Sequence, residues 1–513
     1  MTSLFLAAVL QQTSLVGKDL ASPVSLRLKQ ALVAEAVSRL DDATPASLTI
    51  APNIANLKVT LLVKDQPCGK VMDRIADVLM CEWKKEEGGY RLIQPSLVSS
   101  QMQAYLAAEN RLLRETAERE VRGLMNGDQV SVTAPRSDAR QELVGKLLRD
   151  LPASGWGGFW RGDVLTGNTT IRDTKSLTVA IAFDPILQRL VMHSSMGPTG
   201  VLMGPSGIGY SRVPFQTPPS SIAGLPFAKQ VSEWVTPIKT TKDDKPLDLS
   251  EWSQPGKAAT LTDLLATVHD QTDLPIVAEA FRLSASYDRR TVKDLRSFLN
   301  SISAYSNHAV KTSDDWILVR NGHFWRHRLY EPPEAATVAL EKLSKERELN
   351  LTDYTSYASK LSESQVAGFR IGMPKTDFET TPLRIALPAL RFFGALSDRQ
   401  RQTALAGEAI SYQNLTAIQK SLFTDAMASG AFFADADSLS WQSGLLSGRI
   451  PTDAPLYFLA SAEPVYPLGR PRPGGRNTGV IPKNDPNVKV PGYVFQFGIS
   501  PEKRVGYVLP LKP

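Results

Sequence analysis

The chain has 513 residues, a hydrophobic fraction of 42%, a charged fraction of 21% and a formal net charge of +6. That length exceeds what one hydrophobic core organises, and the composition is ordinary for folded protein, which excludes a disordered or fibrous chain. Two cysteines, Cys68 and Cys81, are too few for a disulfide framework, and about 13 residues of intervening helix would hold them roughly 20 Å apart, beyond bridging range.

The opening MTSLFLAAVLQQTS carries a short apolar run, LFLAAVL, with no preceding Lys or Arg and no A-x-A site after it. Residues 1–20 are therefore expected to be a short unconventional signal or an N-terminal tail. No later stretch reaches the roughly 18 apolar residues of a membrane-spanning helix.

From residue 21 to 96 the hydrophobic period changes repeatedly. VSLRLKQALV alternates as a strand, AEAVSRLDDAT places Ala34, Val37 and Leu40 on a helical face, and SLTIAP and KVTLLVKDQ are two more strands. PCGKVMDRIADVL is an amphipathic helix opened by Pro67, and CEWKKEEGGYRLI is a hairpin around Gly88 and Gly89. The expected product is two helices on one face of a small sheet, with Val59 and Leu61 on an apolar edge strand.

Residues 97–128 predict one long charged helix with i to i+4 pairs such as Arg114 with Glu118. Residues 129–255 read as a β-rich region with linkers. Within it, SLTVAIAF and QRLVMHSS form a hairpin, while TPPSS and KTTKDDKPLD mark linkers. GWGGFWRGD offers Trp156 and Trp160 as a shallow binding face for sugars or peptides, the plainer reading being that both rings tuck into the neighbouring β region. VLMGPSGIGYSR spaces Gly204 and Gly209 as a phosphate loop does. It has Tyr210 where the lysine belongs, and prolines follow where a helix is needed, so it reads as two Gly-Pro turns around a short strand. His193 and Ser194 are neighbours on a strand and point to opposite faces, which argues against a catalytic pair.

Residues 256–331 repeat the first layout: helix, strand LPIVAEA, a link, a helix carrying Val292, Leu295 and Leu299, then a hairpin whose second strand begins near Trp316. His323 and His327 are spaced as zinc ligands, yet their surroundings look extended and no third ligand stands nearby. Residues 332–450 are helical. LSESQ, LSDRQ and LTAIQ predict capping boxes at Ser362, Ser397 and Thr416. Residues 451–513 hold a Pro/Gly-rich basic loop, including Arg470, Arg472 and Arg476, and a hairpin around the turn Ser500 to Lys503 that sets Tyr493, Phe495 and Phe497 on one face opposite the group Val505, Tyr507 and Leu509. This hairpin, through Tyr493 and Phe495, is a candidate to dock on a module's sheet edge.

The rhythm of VSLRLKQALVAEAV, SLTIAPNI, KVTLLVKDQPCGKVMDRIADVL and YRLI resembles the secretin and TonB short N-terminal domain, and Thr260 to Val319 resembles it more loosely. No glycine-rich strands of a secretin pore or receptor barrel follow. The resemblance implies a periplasmic protein-interaction module and carries over no catalytic residue.

Taken together, the sequence predicts an α+β, multidomain protein. The expected function is a non-catalytic, exported envelope scaffold that binds protein partners through Val59, Leu61, Trp156, Trp160, Tyr493 or Phe495, with no cofactor or metal and no nucleic acid. A peripheral membrane or anionic-surface contact through the basic loop is part of that expectation. The rival readings are a hydrolase or transferase near the Gly-rich segment, a self-associating envelope protein, and a cytoplasmic location.

Overall fold

A computed structural model of the chain describes residues 20–127, 138–162, 165–171, 175–186, 188–196, 203–207, 222–234, 238–253, 260–279, 281–282, 292–305, 308–370, 376, 378, 381–431, 456–465, 489–500 and 503–511. The expected N-terminal signal, the TPPSS linker, Gly209, Tyr210 and the loop arginines 470, 472 and 476 lie outside these residues. The described chain forms two units, divided after Glu109, before Ile222 and after Glu334.

The first unit opens with the seven elements in the expected order. They are β1 (Pro23–Leu32), α1 (Val33–Asp41), β2 (Ser47–Ile50), β3 (Lys58–Pro67), α2 (Cys68–Leu79), β4 (Glu82–Glu86) and β5 (Gly89–Ile93), followed by the long helix α3 (Ser96–Asn126). The α2 helix stops where Met80 turns into the left-handed region at φ 56°. Gly88, at φ 79°, makes the tight β4–β5 turn. At Gly89 a Cβ would meet the carbonyl oxygen of Ser47 at 1.9 Å, so β2 can close on β5 only against a glycine.

In the second unit, after α3, come α4 (Asp138–Arg149), the single turn α5 (Trp156–Phe159), and a sheet of β6 (Leu165–Ile171), β7 (Lys175–Asp184), β8 (Arg189–Met196) and β9 (Met203–Gly207) in that order. The expected β7–β8 hairpin is present, with Asp184 opposite Arg189. The α4 helix was not foreseen. Gly204 to Gly207 lie in β9, paired with β8, where a turn had been expected. As an outer strand, β9 tolerates Pro205.

The chain returns to the first unit with α6 (Pro226–Glu233), α7 (Leu261–Thr272), β10 (Ile276–Glu279), α8 (Leu295–Tyr305), β11 (His308–Ser313), β12 (Trp316–Asn321) and α9 (Phe324–Tyr330). Here the two modules merge, since one sheet runs β1-β3-β10-β12-β11 and a second runs β2-β5-β4. The α1 and α2 helices touch strands of both sheets, and α7 and α8 cover the other face of the five-stranded sheet. The layers are therefore small sheet, helix pair, large sheet, helix pair, which replaces the expected two separate helix-on-sheet modules. Residues of β3, β10 and β12 are buried on both faces, and such strands read as unbroken apolar runs. Leu62, Ile276, Ala278, Ile317 and Val319 face α7 and α8; Leu61, Val277 and Arg320 occupy the alternate positions. KTTKDDKPLD, expected as a linker, is instead hydrogen-bonded to α8 and to the β11–β12 turn.

The remainder of the second unit has α10 (Glu334–Glu346), α11 (Leu351–Ala358), α12 (Glu363–Arg370), α13 (Thr381–Ala395), α14 (Asp398–Leu405), β13 (Ile410–Ser411), α15 (Ala417–Ala431), β14 (Tyr457–Val465), β15 (Val490–Ser500) and β16 (Lys503–Pro510). All three expected capping boxes form, with the amides of Gln365, Gln400 and Gln419 each 3.3 Å from the hydroxyl of Ser362, Ser397 or Thr416. Each is worth about 1 kcal/mol. The β15–β16 hairpin sets the two expected groups of residues opposite each other, Tyr493 with Leu509, Phe495 with Tyr507 and Phe497 with Val505, with a register shift between Gly498 and Ser500.

Because β3 and β10 belong to one sheet, a cavity in β3 should weaken both modules together. Leu61→Ala should cost about 3 kcal/mol. Hydrogen exchange should show amides of β10 and β12 losing protection along with those of β1 and β3.

Candidate functional site

The densest chemistry of the first unit lies along the seam between its two modules. It begins with backbone pairing, Ile276 with Leu62, Val277 with Leu61, Ala278 with Thr60 and Glu279 with Val59. The hydroxyls of Thr60 and Thr262 meet at 3.2 Å on this seam.

A helix ends with carbonyls that have no partner within it. At the end of α2, Arg320 of β12 donates to the carbonyls of Asp77 at 2.5 Å and Val78 at 2.8 Å. Arg328 of α9 donates to the Leu79 carbonyl at 3.2 Å and to Glu279 Oε1 at 2.7 Å. Two arginines of one module thus cap a helix of the other, with their charge set at its negative end. Arg320 is fully buried, its guanidinium 4.1 Å from the Trp234 ring centroid and 5.2 Å from that of Phe324. Burial lowers its pKa to about 10 against the support of Glu279 and Asp77, so it stays charged at neutral pH. Asp77 in turn accepts from Trp234 Nε1 and Lys311 Nζ, both at 2.7 Å.

A second buried cluster joins Lys58, at the start of β3, to the segment after α9. Lys58 pairs with Glu331 at 2.6 Å and with Glu334, and Arg282 grips Glu334 through two bonds of 3.0 and 2.6 Å. Burial works against the Glu334 carboxylate, but its bonds to Arg282 and Lys58 hold its pKa below the usual value. The outer pairs Arg27 with Asp270 and Lys29 with Asp263 are solvated and contribute little.

Between the clusters stands α9. Phe324 and Trp325 pack with Tyr105 and Phe227, and Glu109 accepts from Trp325 Nε1 at 3.0 Å and Arg326 Nε at 2.8 Å. The segment expected to be extended is this short helix, with His323 as its N-cap and the His327 amide 3.0 Å from the His323 carbonyl. The two histidines are thus one turn apart, yet no group of three or more metal-ligating side chains with ion-binding geometry occurs among the described residues. His327 is buried against the Phe281 ring. Burial, followed by the charges of His323 and His308, holds its pKa well below the ordinary 6.5. Burial likewise lifts the thiols of Cys68 to about 11 and Cys81 to about 12, which keeps them protonated and poor nucleophiles.

The residues singled out from the sequence do not meet at this seam as a binding face. Val59 and Leu61 are 0% exposed in a strand flanked by β1 and β10, so the expected apolar edge is interior. Phe495 is also 0% exposed, inside the sheet β13-β14-β15-β16, and Tyr493 packs against the same core. That sheet, backed by α13 and α15, occupies the hairpin expected to dock on a module. Trp156 and Trp160 stack at 6.2 Å, and Trp160 meets the Phe183 ring at 5.1 Å and the Arg114 guanidinium at 3.6 Å, which also lies 4.9 Å from Phe183. Both rings are partly buried against the core cluster that includes β7 and β8, as the plainer reading has it. Arg114 keeps its expected bond to Glu118, at 2.9 Å, while covering the Trp160 ring. His193 and Ser194 occupy consecutive β8 positions opposite Ala180 and Val179.

The sequence reading missed Glu279, Arg320 and Arg328. A signal existed for the first two, since PIVAE and WILVR each place one charge in an otherwise apolar strand, and a charge there must be paired. The chain matches no family model, no curated protein and no solved structure.

Arg320→Met should cost about 3 kcal/mol or more in urea unfolding, because it takes the side-chain donor from the buried Val78 carbonyl and leaves the Asp77 carbonyl with the Met80 amide alone. Arg320→Lys should recover little of this, since an ammonium cannot span both carbonyls and stack on Trp234. His327 sets a pH dependence of definite sign. Its folded pKa lies below the unfolded value, so its contribution is complete above about pH 6.5 and is lost as pH falls below that, by up to about 1.4 kcal/mol per pH unit. His327→Gln should flatten this acid limb in urea midpoints measured from pH 7.5 to 5.

Proposed function

We propose that the chain is a non-catalytic scaffold of the cell envelope that binds other proteins through its first unit. In this reading the unit is a fused pair of modules of the secretin and TonB short N-terminal kind. The observation that carries it is the order strand, helix, strand, strand, helix, strand, strand, with the helix pair between two sheets and the second module continuing the larger sheet.

The charged groups of the seam support a structural role. Lys58, Arg282, Glu331 and Glu334 are spent on one another, and Arg320 and Arg328 on helix capping. No helix among the described residues is long and apolar enough to cross a membrane. Since β10 fills one side of β3, the long outer strand β1 is the binding edge that the reading assigns. A partner segment would join it as a further antiparallel or parallel strand, its affinity coming from main-chain hydrogen bonds.

Hydrogen exchange of the full chain, free and crosslinked to its isolated envelope partner, tests this. Residues 23–32 should gain protection in the complex. Protection confined to the second unit, or the same protection arising from self-association without a partner, would overturn the reading.

A further inference from the structure

Between α6 and α7, residues 238–245 curl against the start of α8 and, with Arg296, line a groove of about 680 Å³. Its walls are pinned at several points. Buried Asp243 accepts from the amide of Thr240 at 2.8 Å, from its hydroxyl at 3.0 Å, and from Arg296 at 3.1 and 2.5 Å. Thr241 donates its amide and hydroxyl to Asp315 at 2.7 and 2.8 Å, Lys239 donates its amide to the Thr312 hydroxyl at 3.0 Å, and Lys242 holds the Thr272 carbonyl.

The first amides of α8 are spent as well, on the carbonyls of Lys245 at 3.1 Å and Asp243 at 3.0 Å. What the groove offers a ligand is therefore charge. Its lining carries Lys239, Lys242, Lys245 and Arg296 with two aspartates, Asp243 and Asp244, and Arg296 already pairs with Asp243. Of the two aspartates in the adjoining turn, Asp315 is held by Thr241 and Asp314 by Arg74. The ammonium groups of Lys239 and Lys245 make no ion pair among the described residues, and both side chains are exposed.

We propose that this groove binds a small polyanion of the phosphate class, held chiefly by Lys239 and Lys245, with Lys242 and Arg296 adding to the positive field. The donor set decides the class. The Arg296 fork that would clasp a planar carboxylate is engaged by Asp243, whereas lysines act as point charges suited to a phosphate oxygen of any orientation. This site is independent of strand addition at β1, so either can fail without the other.

Titration calorimetry of the full chain at low ionic strength, with pyrophosphate, inorganic phosphate and citrate as the probes, tests the proposal. Saturable binding is expected, with pyrophosphate tightest. Lys239→Gln with Lys245→Gln should weaken it about tenfold, the loss expected from removing two screened charges. Lys239→Arg with Lys245→Arg should restore it, and Lys84→Gln with Lys85→Gln, on exposed β4, should leave it unchanged. Because neither groove lysine side chain makes a hydrogen bond or ion pair among the described residues, the melting temperature should stay constant across these variants. The proposal is overturned if no saturable binding occurs, if citrate matches pyrophosphate, or if the β4 variant loses as much affinity as the groove variant.

Discussion

The antiparallel pairing of β3 with β10 is the constraint on which the first unit rests, joining strands more than 200 residues apart in the chain. KVTLLV is too apolar to stand at a sheet edge, where its backbone and one face would meet water. With β10 alongside, and α2 and α7 on opposite faces, every residue from Lys58 to Val63 is buried. The remaining order follows from this pairing. β12 joins β10 in parallel, β11 returns as a hairpin, and α9 leaves β12 close enough to the end of α2 to cap it.

Buried charge fixes the register of that assembly. Arg320 and Glu279 lie on the α2 side of the large sheet, where helix carbonyls and Arg328 meet them. A slip of one residue in either strand would turn its charge toward α7 and α8, against a cluster built of Leu, Ile, Val and Phe. An unpaired charge in such surroundings costs several kcal/mol, far more than the slip costs in backbone hydrogen bonds. Replacing such ion pairs with apolar side chains is often neutral or stabilising in other proteins, so their value here is in specifying one alignment. The hydrophobic core makes the sheet stable, and the charges make it unique.

The legible parts of the sequence were those governed by local physics. Period changes located all seven elements of the first module. The Ser/Thr to Gln spacing located three helix starts, and alternation of Tyr493, Phe495 and Phe497 placed them together opposite Val505, Tyr507 and Leu509. What failed depended on distant partners. The run VTLLV announces burial on both faces but carries no address for the strand that supplies it, so it was assigned to an edge. NGHFWRHRLY is too short, and too rich in aromatics and histidine, for helical period to stand out. As a helix it sets Phe324 against Trp325, Arg326 on Glu109 and Arg328 on Glu279, contacts that outweigh its weak helix propensity. Of the candidate contact residues, Val59, Leu61 and Phe495 were recognised correctly as apolar and misplaced on a surface, since hydrophobicity alone favours the interior.

The segment KTTKDDKPLD shows the converse error, in which polarity was taken for looseness. Thr and Asp side chains compete for backbone groups, and in a segment without regular structure they can replace the missing ladder bond by bond. Asp243 closes a turn through Thr240 and ties it to α8 through Arg296, while Asp315 fixes the next residue, Thr241. Pro246 then bridges to Asp294, so the loop that enters against β11 and the β11–β12 turn leaves beside the start of α8. Of the lysines between these anchors, Lys242 is itself tied to the Thr272 carbonyl, while Lys239 and Lys245 are exposed. Composition cannot separate such a stretch from a linker, because the same residues solvate a free chain and anchor a bound one. The difference lies in whether an acceptor such as Asp315 or a donor such as Arg296 waits on a neighbouring element, which is a property of the assembled fold.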